Sequence, residues 1–213
     1  MTEPLLGRCE PRPPSTTQSA PRLIRLDDVL RTPWRNGGGV TRELLAAPDA
    51  NEWMWRISVA DVGADGPFSA FVGVERWFAV LDGAGVELDV DGRLHRLRPG
   101  DPAVQFDGAA ATHCRLIDGP TRDLNLMLRG VRGRLQPVHH RAMHETHSAS
   151  GGVFSLRAGE CVCDGVVHTL PALALLWFDS APARLSFQAQ AAADSPAVAV
   201  GWWIGVTPER ARA

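Results

Sequence analysis

The chain contains no lysine and no tyrosine, so all 22 of its basic residues are arginine. Schiff-base lysine chemistry and a phenolic general acid are therefore excluded. Cysteine is scarce, with only Cys9, Cys114, Cys161 and Cys163 in 213 residues, which is not the density of a small disulfide-stapled scaffold. Neither sign of charge dominates. The formal net charge of -2 gives no strong pull toward nucleic acid. Long apolar runs are missing too, and with them a membrane-spanning helix. The opening stretch carries Pro4, Pro11, Pro13, Pro14 and Pro21 among serines and threonines, without the apolar centre of a signal peptide. The expectation is a cytoplasmic protein that engages neither nucleic acid nor membrane.

The residues present favour strands. Trp53-Met54-Trp55-Arg56-Ile57-Ser58-Val59-Ala60 alternates, with Trp53, Trp55, Ile57 and Val59 on one face and Met54, Arg56, Ser58 and Ala60 on the other. Arg76 to Leu81 is a second apolar run. Val86 to Val90 alternates into Asp91-Gly92, a hairpin signal because both turn positions tolerate positive φ. Leu94 to Leu97 returns from it, and Leu124, Leu126 and Leu128 alternate with Asp123, Asn125 and Met127. Strands resume at Val153–Leu156, Glu160–Cys163, Leu173–Phe178, Ala183–Phe187 and Val198–Val206. Short strands at turn-marked spacing indicate antiparallel barrels or sandwiches. The organisation read from this is a disordered lead-in over 1–21, a β lobe over 22–130, an irregular or partly helical connection over 131–149, a second β lobe over 150–207 and a tail over 208–213.

Candidate chemistry centres on Pro33-Trp34-Arg35-Asn36-Gly37-Gly38-Gly39-Val40-Thr41-Arg42-Glu43. Three consecutive glycines free the backbone. Their amides, with Arg35 and Asn36, suit a small anion, because amides in such turns form a positive concavity. The plain alternative is a tight loop linking two strands with Arg35 in solvent. Arg56 and Ser58, and likewise Asp123 and Asn125, occupy polar strand faces. Such faces meet water in an ordinary sandwich and a lumen in a small barrel. In a lumen Arg56 would read a carboxylate with its planar fork. His140, His144 and His147 would share one helix face, a spacing zinc could use, but His144-Glu145-Thr146-His147 is not a zinc-protease motif. Cys161 and Cys163 share a strand face. With His168 they could bind a soft metal, or they could simply pack as small apolar residues. Ser69 lies outside any nucleophile-elbow context.

Four segments, in order, resemble the HutD/Ves family: Pro33 to Glu43, Trp55-Arg56-Ile57-Ser58-Val59-Ala60, Asp65-Gly66-Pro67-Phe68-Ser69, and Gly119-Pro120-Thr121-Arg122-Asp123-Leu124-Asn125-Leu126-Met127. The resemblance implies an all-β bicupin, two cupin-like β-barrel lobes in one compact chain, linked to bacterial histidine utilisation. It implies a regulatory, non-catalytic protein that binds a small carboxylate such as N-formylglutamate or urocanate. Mapped by motif, the pocket would use Arg35, Asn36, Gly37, Gly38 and Arg56, with Ser58, Phe68, Ser69 and Asn125 nearby. Neither cofactor nor metal is expected, since the cupin His-x-His metal motif is absent and His95 and His113 stand alone. A homodimer is the expected self-association. The chain departs from the family pattern at Arg35, where lysine is common, at Ala109, which replaces an acid, and at Gly130, which replaces the second arginine of a pair. Two other functions fit the same residues: a metal-independent enzyme using Ser69 or Asp123, and a protein-interaction module using the tryptophan-rich face.

Overall fold

The computed structural model describes residues 19–190 and 199–209. Most of the lead-in (with Cys9) and the end of the tail lie outside them. In chain order the first lobe comprises β2 (Thr32–Pro33), β3 (Gly39–Ala47), β4 (Trp55–Val62), β5 (Gly66–Pro67), β6 (Glu75–Asp82), β7 (Val86–Val90), β8 (Arg93–Leu97), β9 (Val104–Asp107), β10 (Thr112–Leu116) and β11 (Thr121–Leu128), preceded by β1 (Arg22–Arg25). The second lobe follows with β12 (Val131–His139), β13 (Met143–Glu145), β14 (Ser150–Ser155), β15 (Gly159–Cys163), β16 (Val166–Leu170), β17 (Ala174–Phe178), β18 (Arg184–Ala189) and β19 (Ala199–Pro208). One short 3-10 turn, Leu26–Asp28, is the only helical element among the described residues. The all-β expectation holds.

Strand order reveals a duplication. The first lobe has an inner sheet β2-β3-β4-β11-β6-β9 and an outer sheet β5-β10-β7-β8. The second has an inner sheet β1-β17-β14-β19-β12 and an outer sheet β13-β18-β15-β16. Remove β1, β2 and β3, and the eight strands β4 to β11 occupy the same relative places as β12 to β19. Each copy carries an Asp-Gly hairpin at the same place. Asp91 and Gly92 have φ of 49° and 81°, and Asp164 and Gly165 have 47° and 87°, the pattern a tight two-residue turn demands. The three extra strands extend the inner sheets, with β1 reaching out of the first lobe to pair with β17.

The sheets stack in four layers, and alternation decides what lies between them. Trp55, Ile57, Val59, Leu124 and Leu126 point from the first inner sheet at Phe154, Trp177, Trp202 and Ile204 of the second, forming the core that joins the lobes. Trp55 and Trp177 meet with ring centroids 4.6 Å apart. Burying each such side chain contributes about 1.5–3 kcal/mol or more. The opposite faces enclose the lobe interiors: Phe78, Val80, Leu88, Leu97 and Cys114 in the first, Val153, Cys161, Leu185, Phe187 and Trp203 in the second.

Three sequence expectations change. The stretch 131–149 is not an irregular or helical connection, because β12 and β13 open the second lobe within it. The histidines there share no helix face. His139 ends β12, His144 lies in β13, and the buried His140 accepts a 3.3 Å hydrogen bond at Nδ1 from the Ala189 amide. Trp53 departs from the Trp55 face. It precedes β4 and packs with Val74 and Met127. The expected tryptophan-rich face is therefore split: Trp55 packs between the lobes and Trp53 packs elsewhere.

Candidate functional site

Period-two alternation points Arg56, Ser58 and Ala60 of β4 and Asp123, Asn125 and Met127 of β11 away from the inter-lobe core, into the first lobe. Arg76 of β6 stands beside Met127 in register. These side chains floor a cleft of about 810 Å³, walled by Trp34, Phe68 and Phe71.

Arg76 is the deepest cation, only 5% exposed. Its guanidinium carbon lies 5.1, 5.3 and 5.7 Å from the ring centroids of Phe106, Phe68 and Phe71. Nη2 donates to Asn125 Oδ1 at 3.2 Å, while Nε is buried without a partner. Burial lowers its pKa to about 10, with Asp123 opposing that shift and Arg56 adding to it. The Arg56 side chain is partly buried, 22% exposed, and 3.8 Å from Glu43. Its guanidinium faces the rings of Trp53 and Phe71 at 5.2 and 5.7 Å, and its Nε also has no partner. Burial lowers its pKa as well, against the pull of Glu43.

Met127 stands between the two arginines in register, and Asp123, four residues back along β11, is 1% exposed. Oδ1 accepts a hydrogen bond from the Asn125 amide, and Oδ2 is buried without a partner. Burial pushes its pKa up to about 8 despite Arg76, with Asp61 adding to the rise. At neutral pH the floor thus presents two guanidinium ions, a neutral acid, a carboxamide and the Ser58 hydroxyl. Such a surface accepts one end of a small organic anion, while aromatic walls cover an apolar body.

Of the nine residues singled out by sequence, Arg35, Asn36, Arg56, Ser58, Phe68, Ser69 and Asn125 line this cleft, and Gly37 and Gly38 do not. The two glycines shape the bend between β2 and β3. Gly37 alone of the three adopts positive φ, at 71°. Its amide donates to the Trp34 carbonyl at 3.0 Å, and the Gly38 amide donates to Asn36 Oδ1 at 3.0 Å. The expected amide cradle is therefore spent internally. Arg76, Phe71 and Met127 were missed as lining residues. Arg76 reads as the first residue of an apolar run, yet it shares parity with Phe78 and Val80, and that was the available signal.

Outside the cleft, Cys161 and Cys163 are buried with their sulfurs 3.5 Å apart. Their mutual hydrogen bond, and then burial, hold the Cys161 thiol protonated. Among the described residues no group of three or more His, Cys, Asp or Glu side chains is arranged to hold a metal ion.

Two stacked β lobes of one strand order, the first holding a basic cleft with aromatic walls, define the class: an all-β protein of cupin-like fold. The HutD family model matches residues 26–195, and the chain belongs to that family. An uncharacterized 21.2 kDa protein in the hutC 3′ region of Pseudomonas putida is 42% identical over 122 residues, 54% of this chain and 63% of that protein. Protein Ves of Citrobacter koseri is 34% identical over 138 residues, 62% of this chain and 72% of that protein. HutD from Pseudomonas fluorescens SBW25 superposes with a TM-score of 0.73 at 30% identity, covering 88% of this chain and 98% of that one. The family is thereby tied to the histidine-utilisation region.

Proposed function

We propose that this chain is a non-catalytic, small-carboxylate-binding protein that regulates bacterial histidine utilisation, with the first-lobe cleft as its receptor site. One observation carries the reading. Arg56 and Arg76 each keep a buried Nε without a partner, and both side chains line the cleft. A buried donor left unpaired costs about 1–3 kcal/mol, and more when charged, so a bound carboxylate recovers free energy the apo protein forgoes. Glu43 reaches Arg56 Nη1 only at 3.8 Å, and Nη2 donates to the weak acceptor Met127 Sδ at 3.2 Å, so a carboxylate would be the stronger partner for that fork. N-formylglutamate and urocanate, the acids the family resemblance implies, are small enough for the cleft. The ligand in turn would set the regulatory state.

A thermal-shift screen of histidine-pathway acids tests this. The expected outcome is a concentration-dependent rise in melting temperature with one of these acids, and recovery of that acid unchanged by chromatography after incubation. The absence of a shift with any of them would sink the reading. Conversion to product would replace it with the enzyme reading.

A further inference from the structure

Asp123 is an unusual neighbour for an anion site. It sits at the cleft floor, 1% exposed, with one oxygen bound by Asn125 and the other unpartnered. The groups that face it decide its state. On β6, Arg76 attracts its charge; on β4, Asp61 repels it; on β10, Cys114, its own pKa raised to about 12 by burial, stays neutral. Arg56 on β4 lies nearer Glu43 than Asp123. Two arrangements satisfy such a group. An ionised Asp123 would neutralise Arg76 permanently and repel a ligand carboxylate. A protonated Asp123 leaves Arg76 cationic and turns the bare Oδ2 into a donor. Burial of a carboxyl favours the second, since an ion far from water is the costlier state.

Resting on the proposed small-acid site, we infer that Asp123 is its specificity determinant, a proton-carrying donor to the bound anion, so that the cleft takes up a small carboxylate and one proton together. The proton remains on Oδ2 and is shared toward the ligand oxygen, and no bond is made or broken. The site therefore selects acids whose oxygen can accept at this position, and it releases them as Asp123 ionises. Because the free carboxyl titrates near 8, the coupling acts over mildly alkaline pH.

Calorimetric titration with N-formylglutamate, which has no group titrating between about pH 6 and pH 9, tests the inference directly. For the wild type the affinity should be flat from about pH 6 to pH 7 and fall about tenfold per pH unit above about pH 8. Binding heats in two buffers of different ionisation enthalpy should show uptake approaching one proton near pH 9 and almost none near pH 6. Asp123→Asn keeps a donor at the same place, so its affinity should lie within a few-fold of wild type near pH 6 and stay flat to about pH 9. The buffer comparison needs only the wild type and stands even if that variant misfolds. A pH-flat wild type, or an Asp123→Asn variant that binds more tightly near pH 6, would mean that Asp123 is an ionised counterion to Arg76, and the inference would be overturned while the receptor reading survived. Absence of binding at every pH would overturn both.

Discussion

Arg76 has been taken almost wholly out of water, and the molecule compensates with three aromatic rings, one carboxamide, a long 3.5 Å hydrogen bond to the Ser69 carbonyl and a nearby acid. Charges so placed are destabilising unless they are well partnered, which is why their incomplete pairing points to a ligand. Arg56, Ser58 and Asn125 were legible because they alternate with apolar residues along strands whose other face is continuous. Arg76 was not, since one arginine at the head of Arg76-Trp77-Phe78-Ala79-Val80-Leu81 reads as the strand's solvated end. Asp123 was visible as a polar-face residue, but its depth depends on tertiary packing. Its titration makes a prediction. The folded pKa, about 8, lies above the 3.8 of a free aspartate, so between those values the native state holds a proton that the unfolded chain has lost. Stability should therefore fall as pH rises through that window and level off above it. Asp123→Asn should abolish this component, gaining stability relative to wild type as pH rises from about 5 to about 8 in denaturant titrations. A constant difference between the two proteins across that range would contradict the assignment.

β3 shows how a glycine run can mislead. It suggested an amide cradle for an anion, whereas only Trp34 to Gly38 form the bend and Gly39 already lies in a nine-residue strand. Gly39 is required for close approach. A Cβ there would lie 2.7 Å from the Asp61 carbonyl oxygen and 3.0 Å from the Trp34 ring. Trp34 is a cleft wall, fixed by its Nε1 donating to Thr41 Oγ1 at 2.7 Å. Gly39→Val should cost about 1–3 kcal/mol through overpacking and, by displacing Trp34, weaken ligand binding. Chemical denaturation and calorimetry would register both, and unchanged values in each would refute the packing argument. β12 escaped sequence reading for a different reason. It is an edge strand that pairs only with β19, and among its nine residues only Leu135 and Val138 are buried. Pro137 is tolerated at such an edge. A strand that contributes so little to the core leaves a weak hydrophobic period.

The duplicated architecture explains why the cleft belongs to one lobe. Register places Arg76 opposite Met127 and Phe78 opposite Asn125 in the first lobe, and Gly151 opposite Gly205 and Val153 opposite Trp203 in the second. The interior of the second lobe instead holds Trp203, 1% exposed. Its indole lies over Gly151, where an added Cβ would come within 2.5 Å of it. One large side chain over two glycines fills the volume that a short polar residue leaves open beside Arg76. Two antiparallel β lobes were legible in outline from turn spacing, but this asymmetry between them was not, because no residue-level repeat links them. It gives the receptor account its sharpest form: one ligand per chain, held in the first lobe. Isothermal titration of wild type and Arg56→Ala with N-formylglutamate and urocanate is the measurement to make. The account predicts a stoichiometry of one for the acid that binds and, for the folded variant, an affinity at least about tenfold weaker, as expected when a charge-assisted bond of about 1.5–3 kcal/mol is lost. Two sites per chain, or equal heats for both proteins, would contradict it.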